Sequence, residues 1–316
     1  MFHSLSQLKA AFAAGEISKP DFIEQAHAHF HSMLFKYALD MEATDISRIQ
    51  INDRRVVMTT RADGIALIVD PSDHRTAPVE SLNFNSYEPC ESSIIRSLAP
   101  HIDTMLDIGA NIGWYSLLVH SINKSSSIHA FEPIPNTFKR LSDNCSINQA
   151  NTIICHDFGF SSEPGSFPFY FYPEGSGNAS IRNLAGREDA QVIECELKTL
   201  GDFCLDLPSS SSIDFIKCDV EGNELFVFQG SSSVLEKHKP ILLVELLRKW
   251  CAPFGYHPNE VLELMFGLGY SAYGVNSSGE LSIIESISES TIETNFFFVH
   301  PRSNLLSSFA KHLPRE

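Results

Sequence analysis

The sequence predicts an α/β fold: a mostly parallel, doubly wound sheet with an antiparallel last strand, preceded by a small N-terminal segment of helices and a β-hairpin. Three observations carry this prediction. From about residue 86 onward, short apolar runs alternate with helical patterns, which implies parallel strands joined by right-handed crossovers. The alternation fails near the C-terminus, where Asn295–His300 follows Tyr270–Val275 after a polar stretch with no clear helix, so the final strand is expected to run antiparallel. Before residue 86 the pattern differs, with helical periodicity first and two-residue alternation after it.

In chain order, Leu5, Leu8, Ala11 and Phe12 recur at helical spacing, as do Phe22, Ile23 and Ala26. Ser18 and Pro20 suit the start of the second helix, as N-cap and first-turn residues. The alternating runs Arg48–Thr60 and Gly64–Asp70, joined by Arg61-Ala62-Asp63, suggest a hairpin. Pro71–Asn85 is polar and reads as a connector, so residues 1–85 form an accessory segment and residues 86–316 the main domain. There, strand and helix alternate: Thr104–Ile108 and Ile112–Ile122, Ser127–Phe131 and Pro135–Ile147, then Thr152–Cys155. Ser166–Tyr172 and Gln191–Leu197 break the alternation and are expected as a β insertion at one edge. Ile213–Cys218, a helix from about Gly222 to Glu236, Ile241–Leu247 and a helix from about Pro258 to Gly267 resume it.

The 316 residues are 43% hydrophobic, enough for a sizeable core and too apolar for a disordered chain. The net charge of −16 repels phosphate backbones and anionic lipid, so no nucleic-acid partner is expected and a cationic or neutral ligand fits better. No apolar run has the length of a membrane span, and no basic start leads into an apolar stretch at the N-terminus, so neither membrane nor signal peptide is expected. The seven cysteines are odd in number and lack a CxxC pair, which argues against a disulfide framework or zinc site and for a cytoplasmic location.

The sharpest local feature runs from Thr104 to Tyr115: an apolar strand ends in Asp107, and Gly109 and Gly113 bracket a turn through Asn111 into a helix. Dinucleotide sites use three glycines in a GxGxxG loop, so that a pyrophosphate sits on the helix N-terminus. Here two glycines stand at GxxxG spacing, and Asp107 would oppose a phosphate. S-adenosylmethionine offers a cationic amine and sulfonium and no phosphate, and glycines would let the backbone approach it. Glu132 closes the second strand, where it can accept both hydroxyls of a ribose, a feature that suits either ligand. The third strand ends in Cys155-His156-Asp157, with Asp157 a candidate acceptor for an adenine amine and His156 a candidate acid or base.

A fourth feature is Ile213–Leu225, in which a buried strand delivers Asp219 to its carboxyl end, Glu221 lies on the turn, and Glu224 lies in the first helical turn, where it favours the helix dipole. Carboxylates this close perturb each other's protonation, which serves general-base work. His27 and His31 share a helix face without a third ligand, and no paired ligand set demands a metal, so none is expected. Phe167, Phe169, Phe171 and Tyr172 pack a strand face or line an acceptor pocket.

The sequence resembles the FkbM family of S-adenosylmethionine-dependent methyltransferases. The resemblance rests on LDIGANIGWYS (106–116), AFEPIPNTFKRL (130–141), GSGNASI (175–181), IDFIKCDVEGNE (213–224) and PILLVEL (240–246), with Glu88-Pro89 at its start. It covers roughly residues 86 to 300, and residues 1–85 have no counterpart in it. The resemblance implies a Rossmann-like class I methyltransferase fold acting on hydroxyl oxygens of sugars, glycans or polyketide-type products. On this reading Asp107, Gly109, Asn111, Gly113, Glu132 and Asp157 hold the cofactor, although Asp157 stands where approximate alignment places an asparagine. Asp219 is the first candidate for general base and Glu221 the second, with a small hydroxylated molecule or glycan as acceptor. A nicotinamide oxidoreductase and a non-catalytic scaffold of the same fold are the alternatives, the first disfavoured by the missing third glycine.

Overall fold

The computed structural model describes residues 2–313 apart from 53, 173, 174, 176, 178, 185 and 209–211. Its strands are β1 (Ile46–Asn52), β2 (Arg55–Thr60), β3 (Ala66–Val69), β4 (Thr104–Ile108), β5 (Ser127–Phe131), β6 (Ile153–His156), β7 (Gly159–Phe160), β8 (Gly165–Phe171), β9 (Gln191–Lys198), β10 (Phe215–Cys218), β11 (Ile241–Glu245), β12 (Ser271–Val275), β13 (Leu281–Ile284) and β14 (Asn295–Val299). Eight of them form the central sheet in the order β6-β5-β4-β10-β11-β14-β12-β13. The first five run parallel, and β14 inserts antiparallel between β11 and β12, as the sequence predicted.

Helices cover both faces of this sheet, so its central strands bury both sets of side chains. Every residue of β4 and β10 is buried. Neighbours along a strand go to opposite cores: Met105, Phe215 and Leu243 join the cluster that holds helix Trp114–Ile122, while Leu106, Ile216 and Leu242 join the one that holds Leu225, Phe228 and Leu262. Among the described residues, no helix is long and apolar enough to cross a membrane.

Four details differ from the sequence reading, each for a local reason. The hairpin forms inside the first alternating run: β1 pairs with β2 across a turn where Arg54 takes φ 67°, and β3 adds on the far side of β2. The connector contains a helix, Ala77–Phe84, with a proline in its first turn and Asn85 (φ 76°) ending it. The inserted β8 and β9 do not extend the central sheet; with β7 they make a separate sheet of order β7-β9-β8. The polar stretch before β14 supplies β13, a four-residue edge strand too short to show a clear alternation.

The N-terminal helices begin as predicted, with the Ser18 side chain accepting from the Asp21 N–H and a proline in the first turn. Packing continues across the boundary placed near residue 85. Ile65, Leu67 and Ala77 lie in the same core cluster as Ile94 and Leu118, and the side-chain oxygens of Asn148 and Asn144 accept from the N–H groups of Ala66 and Ile68, both at 2.9 Å.

Candidate active site

Parallel pairing brings the carboxyl ends of β4, β5, β10 and β11 to one edge of the sheet, where ligands of open α/β sheets bind. Register decides which side chains meet there. Lys217 pairs with Asp107, and Cys218 pairs with both Ile108 and Val244. The residues that follow, Asp219 and Glu245, therefore leave the sheet side by side. The loops beyond enclose a cavity lined by Gly109, Asn111, Glu132, Phe169, Asp219 and Glu221 among others.

The first loop is shaped by backbone packing. A Cβ on Gly109 (φ 73°) would lie 1.8 Å from the carbonyl oxygen of Asp219, so this glycine lets the loops after β4 and β10 touch. At Gly113 (φ 90°) a Cβ would lie 2.7 Å from Leu141 Cδ1, so close helix packing requires the absence of a side chain. Both glycines answer to protein packing, and Gly109 also lines the cavity. Asn111 (φ 49°), Glu221 (φ 53°) and Glu88 (φ 42°) hold left-handed backbone without being glycine. Strain of this kind collects at functional sites.

Glu132 is buried and doubly held: Oε2 accepts from the N–H of Asn111 at 3.1 Å and Oε1 from the N–H of Ile134 at 2.9 Å. Each oxygen keeps acceptor capacity toward the cavity that Glu132 lines. Burial pushes its carboxyl up to about 7, against the pull of those two N–H groups. Asp107 behaves differently. It is 1% exposed, is not among the cavity walls, and accepts from the Ser116 N–H at 3.1 Å and hydroxyl at 2.6 Å. Its Oδ2 fixes the start of helix Trp114–Ile122 from beneath the loop, while its Oδ1 is buried without a hydrogen-bond partner. Asp157 is exposed and also absent from the cavity walls. His156 stacks on Phe131 at 4.6 Å between centroids, and burial first and His129 second push its pKa down to about 4. The ring packs among Phe131, Phe158 and Phe203 and is absent from the cavity walls.

Around Asp219 the carboxylates crowd. Ligand oxygens of Asp219, Glu221 and Glu245 all lie within 4.8 Å of one another. Lys217, buried, donates to the Gly109 carbonyl at 2.6 Å and pairs with Asp219 at 3.2 Å. Glu221 Oε2 is buried without a hydrogen-bond partner. Burial first, and the charge of Asp219 second, push the carboxyls of Glu221 and Glu245 well above the usual range. Glu88 accepts from the Tyr115 hydroxyl, and burial raises it to about 7. Glu224 is structural. Its Oε1 accepts from the N–H groups of Val220 and Gly222 at 3.0 and 3.2 Å, and Tyr256 donates to its Oε2. It staples the turn that carries Glu221.

Sequence reasoning assigned no role to Lys217, Glu88 or Glu245. Glu245 was legible in principle, since it ends an apolar run as Asp219 does, but only the β10–β11 register makes them neighbours. Phe169 and Phe171 are buried in a small cluster with Ile134 and Leu197, and Phe167, on the same strand face, packs against it. Phe169 and Leu197 line the cavity, so the inserted sheet forms part of its wall. Ser176 and Asn178, in the GSGNASI stretch that carries the family resemblance, lie outside the described residues.

Comparison with known proteins agrees with this geometry. The methyltransferase FkbM domain matches residues 107–272, just over half of the chain and the whole span from Asp107 to Glu245. The chain belongs to the FkbM methyltransferase family. Methyltransferase sdnD of Sordaria araneosa is 30% identical over 49% of this chain and 68% of its own length. Hexuronic acid methyltransferase AglP of Haloferax volcanii is 28% identical over 55% of this chain and 67% of its own. Methyltransferase 1 of Beauveria bassiana is 27% identical over 42% of this chain, and that match spans only 59% of the relative. The cofactor of this FkbM methyltransferase is S-adenosylmethionine, in line with the sequence reading.

Proposed function

We propose that this FkbM methyltransferase methylates a hydroxyl oxygen on a sugar, glycan or other small hydroxylated molecule. One observation carries the reading: a carboxylate suited to a ribose, Glu132, and a carboxylate suited to proton removal, Asp219, line the same cavity. The residues present fit the cofactor. Glu132 offers an acceptor oxygen to each of two ribose hydroxyls while its other bonds hold it still. The acidic wall at Asp219 and Glu221, with its orphaned Oε2, suits a cationic ligand and repels a phosphate. The bound cofactor supplies a methyl group already activated on a sulfonium.

What remains for the protein is to place the acceptor and take its proton. Asp219 stands at the cavity wall with Lys217 behind it, an opposite charge that compensates the carboxylate there. Asp219 would take the proton of the acceptor hydroxyl as that oxygen receives the methyl group. Glu221 is the second candidate for this role. Phe169 gives the wall an aromatic face of the kind that packs on sugar rings. The relative named for hexuronic acid supports a carbohydrate acceptor. The net charge of −16 opposes a nucleic acid.

The test is transfer of labelled methyl from S-adenosylmethionine into separated carbohydrate, small-metabolite, RNA and protein fractions. Label in the carbohydrate or hydroxylated-metabolite fraction, lost in Asp219→Asn, is expected. Label confined to RNA or to protein nitrogens would contradict the acceptor class.

A further inference from the structure

We propose that a second cavity, beside the one described above, binds an anionic oxygen group of the acceptor, a carboxylate or a phosphate, and so selects an acidic sugar or metabolite. It encloses about 400 Å³ between residues 54–76 of the N-terminal segment and the start of helix Pro135–Ile147. Three elements place it next to the reaction. Asn111, Ile134 and Phe169 line the first cavity, whereas Ile112, Asn136 and Phe171, one or two positions further along the same elements, line the second. The two cavities therefore share a wall.

Three observations point to an anion. The first is charge. Arg54, Arg55, Lys139 and Arg140 line the cavity against Asp70, Asp73 and Asp143, so four cations and three carboxylates leave a formal excess of one positive charge. In a chain of net charge −16 this lining has the opposite sign to the whole, and the ligand it favours is the opposite of the one that overall charge suggests. The carboxylates are already engaged: Asp70 accepts from Arg140 at 2.6 Å, Asp143 from Lys139 at 2.8 Å, and Asp73 from the N–H of Arg75 at 3.0 Å. Second, two buried polar atoms lack partners. Arg140 gives Nη2 to Asp70, but its Nη1 bonds to nothing. Thr76, 4% exposed, lines the cavity, and its hydroxyl is also without a partner. It stands at the N-cap of helix Ala77–Phe84, where a threonine oxygen ordinarily accepts from its own helix, and it makes no such bond. A buried polar group left bare costs free energy unless something fills the position. Third, helix Pro135–Ile147 begins at the cavity with no side-chain cap, and Asn136 and Thr137 of its first turn form part of the wall. The leading N–H groups of a helix carry partial positive charge and favour an anion.

The donor set selects an oxyanion. A guanidinium N–H, a hydroxyl and helix-end N–H groups all donate, and Lys139 adds charge beside them. The wall of the first cavity is acidic at Asp219 and Glu221 and repels the same group. An acidic acceptor is therefore oriented, with its anion in the second cavity and its hydroxyl toward the first. Arg54, Arg55 and Thr76 come from residues 1–85, which lie outside the matched family domain, so the N-terminal segment supplies one wall of a selectivity site. The role in acceptor choice rests on the methyl-transfer reading above, but the anion site itself does not.

The experiment titrates glucuronate, glucose 6-phosphate and glucose into the full-length protein at constant ionic strength, with and without S-adenosylhomocysteine, and reads binding by saturation-transfer proton magnetic resonance. At least one acidic hexose should saturate a site about tenfold or more tightly than glucose, and the better of the two tells carboxylate from phosphate. Arg140→Gln should weaken that binding by about tenfold or more and leave affinity for S-adenosylhomocysteine within about twofold. Should this variant not fold, Thr76→Val, which keeps the shape and removes the hydroxyl, should weaken it by about threefold or more. Acidic hexoses that bind no better than glucose, unchanged affinity in the folded variant, or loss of the acidic hexose when S-adenosylhomocysteine is added would overturn the proposal. No methyl transfer enters this readout, so failure of the acceptor class, seen as label confined to RNA or protein nitrogens, is not mistaken for failure of the anion site.

Discussion

Two carboxylate stations line one cavity and are built on opposite principles. At the end of β5, Glu132 has an N–H donor on each oxygen, so its position is set before any ligand arrives. At the ends of β10 and β11, Asp219, Glu221 and Glu245 crowd together with Lys217 as one partner and an oxygen of Glu221 left bare. A saturated carboxylate is suited to recognition, because nothing about it needs to change on binding. An unsaturated cluster is suited to chemistry, because a proton or a cation can enter it at little cost. On the function proposed above, the difference gives cofactor recognition to the first station and acceptor handling to the second.

The largest expected effect comes from the second station. Asp219→Asn keeps the shape of the side chain and removes its basicity. Methyl transfer at saturating cofactor should fall by about 10²–10⁴. Affinity for S-adenosylhomocysteine should stay within about threefold, because the first station is intact. A variant that turns over normally would pass the base role to Glu221.

The first station should respond in the other coordinate. Glu132→Ala removes a charge-assisted acceptor and leaves the N–H groups of Asn111 and Ile134 without their partner. Affinity for S-adenosylmethionine should drop by roughly 1.5–3 kcal/mol, about ten- to a hundredfold, as read by calorimetry on the folded variant. Unchanged affinity would show that the ribose lies elsewhere.

Much of this contrast was legible in the sequence, and the missing part has a physical reason. Strand ends are marked by polar residues after apolar runs, so Glu132 and Asp219 were visible as candidates. The antiparallel β14 was visible from the missing crossover helix. What pairs with what was not visible. Glu245 also closes an apolar run, but its neighbour is set by sheet register 26 positions away in sequence from Asp219. Asp107 shows a second kind of hidden neighbour. Its place before the glycine loop is right for a ligand contact, but the side chain turns toward Ser116. The Pro71–Asn85 connector misled because Ala77–Phe84 is short and weakly patterned, while Ala77 is buried by tertiary packing alone.

A pH experiment separates burial from function. Burial raises Glu88 and Glu132 from 4.5 to about 7 in the folded chain. Groups with raised folded-state values stabilise the fold below their unfolded pKa and lose that contribution as pH rises through the folded value. The cofactor-free protein should therefore lose stability between about pH 4.5 and 8, on the order of 2–3 kcal/mol for Glu88. Glu88→Gln should flatten this slope in thermal melts across that range. A slope of the opposite sign in the wild type would show that these carboxylates are charged in the fold.

The smallest effect is expected outside both stations. Asp157 is exposed and does not line the cavity, so Asp157→Ala should change cofactor affinity by less than about twofold. A tenfold loss in calorimetry would extend the recognition station to the end of β6.

The division of labour is tested most directly by measuring the rate of methyl transfer for Glu132→Ala and Asp219→Asn as S-adenosylmethionine is raised to saturation. If recognition and proton handling are separate, Glu132→Ala recovers to within about threefold of the wild-type rate once the cofactor site is filled, whereas Asp219→Asn stays at least about 10² below it at every concentration. An Asp219→Asn enzyme rescued by cofactor, or a Glu132→Ala enzyme that remains slow at saturation, would contradict the account.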